Sequence, residues 1–513
     1  MNTEIGTSAP LDGQLKSIAI LGSGLHAWAL AAALGKYLLG TGTRVTLVDC
    51  VSDGQPDDTT HGVTAIAGDS RLHELLEFDE QTLMQGCNGT FQTATRFVDW
   101  HHPDHDFYIG YGQHGAKLGT ADFHHYLTYQ RQNGSDLRLE SFSPGAVMAS
   151  LGRFSHPPQD SSNILSTMEY LQQFDAAAYL AHMQSGVKQL QQQGDIDIVV
   201  GQLNQVNLRS RDGYIESLVL DDGVSVTADL FVDCSGAEGR LIDQAMYAKY
   251  IDWSQHLPFD RSLTVSVPTS VIDNTSLSPL NTIFGDDLGW IKQIFLNGKA
   301  VYQCQYSSDH SSFDEVLERL SLMANAEPPT AIKSQILRPG CRDKFWFKNC
   351  VAMGAAAGYV DSLHYTQGYV MDLDIQRFIG LIPFGSDMTI FAAEYNRLSS
   401  AAYSSIRDYH SAHYWSLHSA PRPHCYFQFY CQQLHQKINL FLERGVLSTK
   451  DDEVVDKQAW LALLYGLGLQ PCRYDPFVGR HNEQQIKHHL ITIQQLILRE
   501  AQLQPEQIDY LSA

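Results

Sequence analysis

Apolar and polar positions near the start of the chain change their period over a short distance. An apolar run over 18–21 leads into a glycine-containing turn over 22–24, and strong helix formers follow over 28–34. A second apolar run over 44–49 then ends in an acidic residue. This order predicts a strand, a tight turn, a helix and a second strand parallel to the first.

The turn over 22–24 reads Gly-Ser-Gly, and Ala27 stands where a third glycine is common. Glycine lets the backbone turn sharply and lets a phosphate approach, while the N-terminus of the next helix attracts an anion. Asp49 could accept hydrogen bonds from a ribose, although it lies farther along than the usual separation of about 20 residues. A glycine turn in another α/β unit is the alternative, but the four features together favour a dinucleotide-binding unit.

The rest of the chain alternates between the periods of strands and helices. The pattern predicts helices over 71–78, 174–193 and 313–322, a β meander over 197–228, a strand over 229–234, β-rich structure over 250–308, a strand and small-residue turn over 348–358 that lead into a helix ending near 379, and mainly helices after 391. This mixture predicts an α/β (α+β) fold.

Composition and charge exclude several classes of protein. The formal net charge is −22, so most of the surface would repel nucleic acid. No apolar run reaches the roughly 18 residues that span a membrane, and the polar start lacks the apolar core of a signal peptide. The 9 cysteines form no C-x-x-C pair, which predicts neither a disulfide framework nor a zinc site and fits a cytoplasmic protein.

A histidine-rich stretch over 101–125 raises the question of a metal site. His101, His102 and His105 are potential ligands, but no helical spacing pairs them and Pro103 interrupts the run. We therefore favour an ordinary polar loop and predict no metal site.

Several sequence blocks, in this order, resemble the flavin-dependent tryptophan halogenases, a branch of the flavoprotein monooxygenase superfamily. The blocks are GSGLHAW at 22–28, TLVD at 46–49, NGTFQTATRFVDW at 88–100, ADLFVDCSG at 228–236, LGWIKQIFL at 288–296, KNCVAMG at 348–354, the turn over 361–368, HYW at 413–415 and YGLGLQP at 465–471. The resemblance implies an FAD-binding Rossmann-like flavoprotein monooxygenase fold with a mostly helical substrate module. It also implies a small aromatic substrate, reduced FAD from a separate flavin reductase, and a homodimer.

The resemblance also implies how the chain is divided. We expect a loose tail over 1–14, a discontinuous FAD-binding module over 15–130, 175–245 and 330–390, and a substrate module over 246–329 and 391–513.

Position by position, the resemblance implies a set of FAD contacts. These are Gly22, Ser23, Gly24, Leu25 and His26 at the phosphates, Asp49 at the ribose, Leu203 near the adenine, Gly236 near the pyrophosphate and Ala355 near the flavin. His26 replaces the small residue usual in the family. Either the loop shifts, or the histidine adds a phosphate contact.

The catalytic positions of the family are altered in this chain. The family's lysine, which directs hypohalous acid onto an indole, corresponds to Gln92, and its assisting glutamate corresponds to His364. Lys292 takes the place of the second tryptophan in the family's W-x-W-x-I-P block, of which Trp290 remains, and Phe295 takes the place of the proline.

Two further groups of positions would contact halide or substrate. The resemblance places the halide-binding turn at Thr366, Gln367 and Gly368, with Gln367 inserted before the glycine. Trp460 and Leu461 fall where the family lines its substrate pocket.

The altered catalytic positions limit the available chemistry. The amide of Gln92 cannot act as a nucleophilic amine or as an ammonium donor, so it can only position other groups. His364 could transfer protons near neutral pH or be a hydrogen-bonded structural residue, and both interpretations stay open. Lys292 could replace the missing cation, but we favour an exposed strand residue because lysine is rarely buried.

The function we expect is that of an FAD-dependent oxidoreductase that uses reduced flavin and oxygen on an aromatic or indole-like substrate. One alternative is a monooxygenase that hydroxylates rather than halogenates. Another is a non-catalytic flavin-binding homologue, suggested by the joint changes at 92, 292 and 364. A third is a relative that no longer binds flavin, suggested by His26 and the altered loop after Asp49.

Overall fold

A computed structural model describes residues 15–50, 62–268, 277–325, 331–364, 366–383, 385, 387–417, 432–450 and 452–512. The predicted tail over 1–14 lies outside these residues. The strands are β1 Ser17–Leu21, β2 Arg44–Asp49, β3 Val63–Ala67, β4 Thr90–Gln92, β5 Ala94–Val98, β6 Asp106–Gly110, β7 Leu171–Asp175, β8 Asp197–Val200, β9 Leu203–Leu208, β10 Ile215–Leu220, β11 Ser225–Thr227, β12 Leu230–Asp233, β13 Tyr250–Asp252, β14 Arg261–Pro268, β15 Leu280–Asp286, β16 Gly289–Leu296, β17 Lys299–Tyr306, β18 Ala331–Ile336, β19 Gly340–Arg342, β20 Trp346–Phe347, β21 Cys350–Ala352 and β22 Gly358–Tyr359.

The α-helices follow the same chain order. They are α1 Leu25–Tyr37, α2 Arg71–Leu75, α3 Glu80–Gly86, α4 Phe123–Gln132, α5 Pro144–Ser150, α6 Ala176–Gln193, α7 Phe313–Ala324, α8 Thr366–Gly380, α9 Thr389–Leu417, α10 Gln432–Arg444, α11 Lys457–Gly466, α12 Glu483–Gln502 and α13 Gln507–Ser512. Within the described ranges, no helix is long and apolar enough to cross a membrane.

The first sheet, which we call the parallel sheet, has the strand order β20-β21-β12-β1-β2-β8. Strand β1 pairs in parallel with both β2 and β12, and Ile20 lies opposite Leu47 on one side and Val232 on the other. The side chains of β1 after Ser17 are all buried, as expected for a parallel strand covered on both faces. The predicted strand, turn, helix and parallel strand are therefore confirmed.

A second sheet, the large sheet, has the order β18-β14-β17-β16-β15-β5-β6. Strand β14 pairs antiparallel with β17, β17 with β16, and β16 with β15. Strand β15 pairs in parallel with β5. This confirms the β-rich structure predicted over 250–308 for the described residues; positions 269–276 lie outside them. The sheet joins strands from both predicted modules, and the proposed division of the chain stays a prediction.

The predicted meander over 197–228 begins later than expected. Strands β9, β10 and β11 form the antiparallel meander, whereas β8 pairs in parallel with β2 at the edge of the parallel sheet. The pattern of apolar and polar residues in β8 is like that of a meander strand, so the sequence could not identify the strand with which β8 pairs. The long helix α9 covers 29 residues, and its side chains Tyr409 and Tyr414 are buried in the main core.

Candidate active site

The turn between β1 and α1 depends on Gly22. Its N–H donates to the carbonyl of Val48 over 3.0 Å, and its φ is +151°. A Cβ atom at this position would lie 2.3 Å from the carbonyl oxygen of Cys234, which follows β12. Because strands β1, β2 and β12 are adjacent, a side chain at residue 22 would collide with backbone.

Helix α1 begins directly after a glycine. Gly24 is its N-cap residue and has no side chain with which to cap the first backbone N–H groups. Ala27 is fully buried, so a small residue is needed where the helix meets the sheet. This is the arrangement in which a helix N-terminus binds a phosphate group.

A second turn, after β12, is held by a buried carboxylate. Asp233 accepts hydrogen bonds from the backbone N–H groups of Leu241 and Ile242, both over 2.8 Å, and from the N–H of Ser235 over 3.0 Å. Gly236 lies in this turn with φ +83°, and no atom would obstruct a Cβ there. The turn therefore leaves open space beside the predicted pyrophosphate position.

His26 belongs to the first predicted FAD-contact segment and packs against the turn that contains Ala355. A Cβ atom on Gly354 would lie 2.8 Å from Cγ of His26, so the imidazole rests on the turn that contains Ala355. Burial lowers the pKa of His26 to about 4. The ring is therefore uncharged at neutral pH and could offer a phosphate a hydrogen bond, but no positive charge.

The predicted ribose and adenine positions meet at the end of β2. Burial raises the pKa of Asp49, and a hydrogen bond from the side chain of Ser23 opposes that shift. The Asp49 carbonyl accepts from the N–H of Gly201 over 3.2 Å, just before Leu203 begins β9. Ser23, Asp49 and Leu203 thus gather at one edge of the parallel sheet.

One cleft borders both the predicted FAD-contact segments and two of the predicted catalytic positions, Lys292 and His364. It holds about 1600 Å³ of space free of protein atoms, part of it continuous with solvent. Its lining includes Leu25, His26 and Ala355 from the predicted FAD-contact segments, together with Lys292, His364 and Thr366.

The predicted halide turn forms the start of α8. A Cβ atom on Gly368 would lie 1.9 Å from the carbonyl oxygen of Ala65 in β3, so glycine allows helix and strand to touch. Thr366 is buried and Gln367 is exposed, and both border the cleft.

Lys292 is buried, and our expectation of an exposed strand residue was wrong. Only 2% of its surface is exposed, because β16 lies between β15 and β17 and this residue faces the cleft. Its ammonium group donates to the carbonyl of Ser362 and lies 5.5 Å from the centre of the Trp290 ring. Burial lowers the pKa of Lys292 to about 7, although the nearby Asp361 carboxylate acts in the opposite direction.

Asp361 is a second buried charge next to Lys292. It accepts hydrogen bonds from the hydroxyl of Tyr414 and from the N–H of Leu363, the latter over 2.8 Å. Burial raises the pKa of Asp361 to about 6, and these hydrogen bonds limit the increase.

Three histidines lie together around position 364, which we predicted to correspond to the family's glutamate. Nε2 of His364 lies 2.9 Å from Nε2 of His413, and Nε2 of His410 lies 3.0 Å from the hydroxyl of Thr366. Nδ1 of His413 donates to the carbonyl of Tyr409 over 2.9 Å. Burial holds the pKa of all three imidazoles well below the ordinary value, so they are uncharged at neutral pH.

Gln92 belongs to a different cluster. Its amide donates to the carbonyl of Ala94 over 3.1 Å and to the hydroxyl of Thr95 over 3.0 Å, and it accepts from the amide of Gln173 over 2.7 Å. Gln92 is buried but does not line the cleft. Lys292 and His364 thus share one cleft, and Gln92 lies outside it.

The family model for tryptophan halogenase matches residues 17–483. The chain belongs to the tryptophan halogenase family. The tryptophan 7-halogenase KtzQ of Kutzneria sp. is 28% identical, over 82% of this chain and 80% of that protein. The tryptophan 6-halogenase SttH of Streptomyces toxytricini is 27% identical, over 77% of each chain.

A solved structure extends this similarity over the whole fold. BrvH, a flavin-dependent halogenase from Brevundimonas sp. BAL3, aligns with a TM-score of 0.88 and 27% identity over 98% of this chain and 100% of its own. This tryptophan halogenase family member is accordingly an FAD-dependent, halogenase/monooxygenase-like oxidoreductase, and its FAD is reduced by a separate flavin reductase. The glycine turn, the glycine N-cap of α1 and the open turn at Gly236 fit that cofactor. A homodimer remains a prediction.

The remaining predicted substrate positions lie in the core of this family member. Trp290 is fully buried and donates from Nε1 to the hydroxyl of Tyr414 over 2.9 Å. Trp460 is fully buried and donates to a carboxylate oxygen of Glu453 over 3.0 Å, and its neighbour Leu461 is 3% exposed. None of these residues lines the cleft, and their role in substrate binding stays a prediction.

Sequence reasoning missed Asp361, His410 and His413 as parts of the site. The two histidines lie three positions apart in α9, which places both on one face of the helix, and that spacing was an available signal. His101, His102 and His105 lie in the loop between β5 and β6. In the part of the chain that the structure describes, no group of three or more potential ligands could hold a metal ion.

Proposed function

We propose that this enzyme halogenates an electron-rich aromatic or indole-like substrate, with Lys292 as the cationic donor and His364 as the proton acceptor. The observation that carries the proposal is the cleft shared by Lys292, His364 and the FAD-contact segment around Ala355. The names of the relatives, which are tryptophan halogenases, support the reaction class.

The cofactor has a defined place in this proposal. When bound, reduced FAD supplies the electrons with which oxygen is activated. The turn at Gly22 and the N-terminus of α1 would hold its phosphates, and Ala355, which is exposed to the cleft, would lie against its flavin ring. Leu25 and His26 would close the cleft on the phosphate side.

Lys292 would act on the oxygen that leaves the halogen. In hypohalous acid, the halogen is bonded to oxygen; when a ring carbon attacks, the carbon–halogen bond forms and the electron pair of the halogen–oxygen bond goes to oxygen. An ammonium group hydrogen-bonded to that oxygen stabilises the developing negative charge. With a pKa of about 7, Lys292 is both a good donor and able to give up the proton, so the oxygen leaves as water.

His364 would receive the proton that the ring carbon loses. Substitution on an aromatic ring is complete only when this proton leaves and the ring recovers its π-system. An uncharged imidazole that lines the cleft is a suitable acceptor, and burial keeps His364 uncharged at neutral pH. Gln92 would hold β4 against β7 through Gln173 and would not contact the substrate.

A second candidate function is hydroxylation of the same substrate class. The specific observation in its favour is Lys292, which stands where the family has a bulky tryptophan and borders the same continuous cleft as Ala355. Hydroxylation requires the substrate close to the flavin, and halogenation does not.

The test is product formation by the purified full chain. We would supply FAD, a flavin reductase with its reductant, oxygen and bromide, and then analyse a panel of indoles, tryptophan and phenols by mass spectrometry. A brominated product supports the proposal, and an oxygenated product formed without bromide supports the second candidate. An unchanged panel, with FAD shown to be bound, contradicts both.

A further inference from the structure

The hydrogen bond between His364 and His413 carries information about proton positions. The two Nε2 atoms are 2.9 Å apart, so one ring must donate and the other must accept. A neutral imidazole has one N–H and one lone pair. The partner of the other nitrogen of each ring therefore decides which ring is the donor.

The proton of His413 is assigned by the backbone of its own helix. Nδ1 of His413 lies 2.9 Å from the carbonyl oxygen of Tyr409, one turn earlier in α9. A carbonyl oxygen can only accept, so Nδ1 of His413 carries the N–H. Burial lowers the pKa of His413 to about 3, so the ring holds a single proton at neutral pH and its Nε2 is an acceptor.

The proton of His364 follows from that of His413. Since Nε2 of His413 accepts, Nε2 of His364 must donate. Burial, reinforced by the neighbouring imidazoles and Lys292, keeps the pKa of His364 well below its ordinary value, so this ring is also neutral. Its Nδ1 therefore bears the lone pair, on a residue that lines the cleft.

The surroundings hold both rings in this arrangement. The indole Nε1 of Trp100 donates to the backbone carbonyl of His413 over 3.0 Å, which ties this part of α9 to the β5–β6 loop. The rings of Phe97 and Tyr409 lie 5.9 Å and 5.3 Å from that of His364, centre to centre. The imidazole of His364 is thus flanked by rings and hydrogen-bonded at one nitrogen.

We propose that His413 is a positioning residue, which uses the Tyr409 carbonyl to hold His364 as its Nε2–H tautomer and so presents the Nδ1 lone pair of His364 to the cleft as the proton acceptor. The last step rests on the proposed function, because it needs a substrate that loses a proton. The tautomer assignment does not, since it follows from hydrogen bonds in the resting protein.

Neutron diffraction from crystals of the full chain tests the assignment directly. We expect protons on Nδ1 of His413 and on Nε2 of His364, and none on Nδ1 of His364. A proton on Nε2 of His413, or on Nδ1 of His364, overturns the proposal. This measurement needs no turnover, so it can fail or succeed independently of the halogenation assay.

Two variants test the consequence for catalysis. His413→Phe removes the acceptor, and we expect kcat to fall by about 100-fold while FAD affinity is unchanged, a loss typical of a displaced general base. His413→Gln can place an amide oxygen near the former Nε2 position, and we expect it to recover most of the lost kcat. Equal kcat values in the two variants, with equal folded fractions by circular dichroism, would overturn the positioning role.

Discussion

The predicted FAD-contact region and the region around Lys292 are built in different ways. In the predicted FAD-contact region, the geometry depends on backbone: Gly22 fits where a Cβ would lie 2.3 Å from a carbonyl oxygen, and Asp233 holds the next turn through N–H groups. Around Lys292, it depends on ionisable side chains, chiefly the buried Lys292 and His413 and the half-buried His364. The first region therefore rests on main-chain geometry and the second on side-chain chemistry.

This difference shows which features of the site can change. A backbone turn between adjacent parallel strands has few alternatives, because almost any side chain collides with a neighbouring strand. The position of a cation along the chain is less constrained, since its charged group needs only to reach the cleft. In this chain Lys292 reaches the cleft from β16, whereas residue 92 is a glutamine outside it.

The largest effect is expected at Gly22. The Gly22→Val variant would push a branched side chain into the backbone at Cys234, and we expect FAD affinity to fall by more than about 1000-fold, or about 4 kcal/mol. Fluorescence titration measures the affinity, and circular dichroism checks folding. The control is Gly186→Ala, in α6 with no atom within 4 Å of the new Cβ, which should leave FAD binding intact. Tight FAD binding by Gly22→Val would contradict the account of this turn.

The next effect concerns the stability cost of burying Lys292. The pKa of Lys292 is about 7 in the folded protein and about 10.5 when the side chain is exposed. Between pH 7 and pH 10.5 the unfolded chain therefore keeps a proton on Lys292 that the folded protein has lost. The cost is fully present below pH 7 and disappears as the pH rises towards 10.5. We expect Lys292→Met to raise the free energy of unfolding at pH 7 by on the order of 3 kcal/mol.

Denaturation of wild type and variant at several pH values checks this prediction, and the gain from Lys292→Met should shrink between pH 7 and 10. The matched control is Lys299→Met, which removes the partner of Asp175 and should destabilise the protein instead. A gain that is absent, or independent of pH, would show that Lys292 is not held in a low-dielectric site.

A smaller loss of stability is expected at Gln92. The Gln92→Leu variant leaves the buried amide of Gln173 without its acceptor, which costs about 2 kcal/mol. Urea denaturation measures the loss. Because Gln92 lies outside the cleft, the kcat of the folded variant should stay close to that of wild type. A stable but inactive variant would instead give Gln92 a direct part in the reaction.

The smallest effect is expected at His26. With a pKa of about 4, its imidazole offers a phosphate at most an uncharged hydrogen bond. We expect His26→Ser to weaken FAD binding by less than about tenfold, or about 1.4 kcal/mol. A titration at pH 7 tests this. A larger loss, together with wild-type affinity that rises steeply at acidic pH, would indicate a charged contact.

The fold of the predicted FAD-contact region was predictable because its signal is local. Strand, glycine turn, helix and acid follow one another over about 35 residues, and a local pattern of that kind survives without knowledge of the tertiary fold. Lys292 was not predictable in this way. Its burial depends on β15 and β17 on either side and on the segment around Ser362, which only the folded chain brings together.

The histidine cluster was predictable only in part. The bond from His413 to the Tyr409 carbonyl is a helical contact that spacing alone could suggest. Its pairing with His364 joins α9 to a turn 49 positions away, and sequence spacing carries no such information.

The most direct test of the central claim compares Lys292→Met with Gln92→Leu in one halogenation assay, at matched concentrations of folded, FAD-bound protein. The account predicts that Gln92→Leu keeps product formation and that Lys292→Met loses it by about 100-fold or more, with FAD affinity unchanged. Product formation by Lys292→Met at the wild-type rate, or its loss in Gln92→Leu alone, would contradict the assignment of Lys292 as the reactive cation.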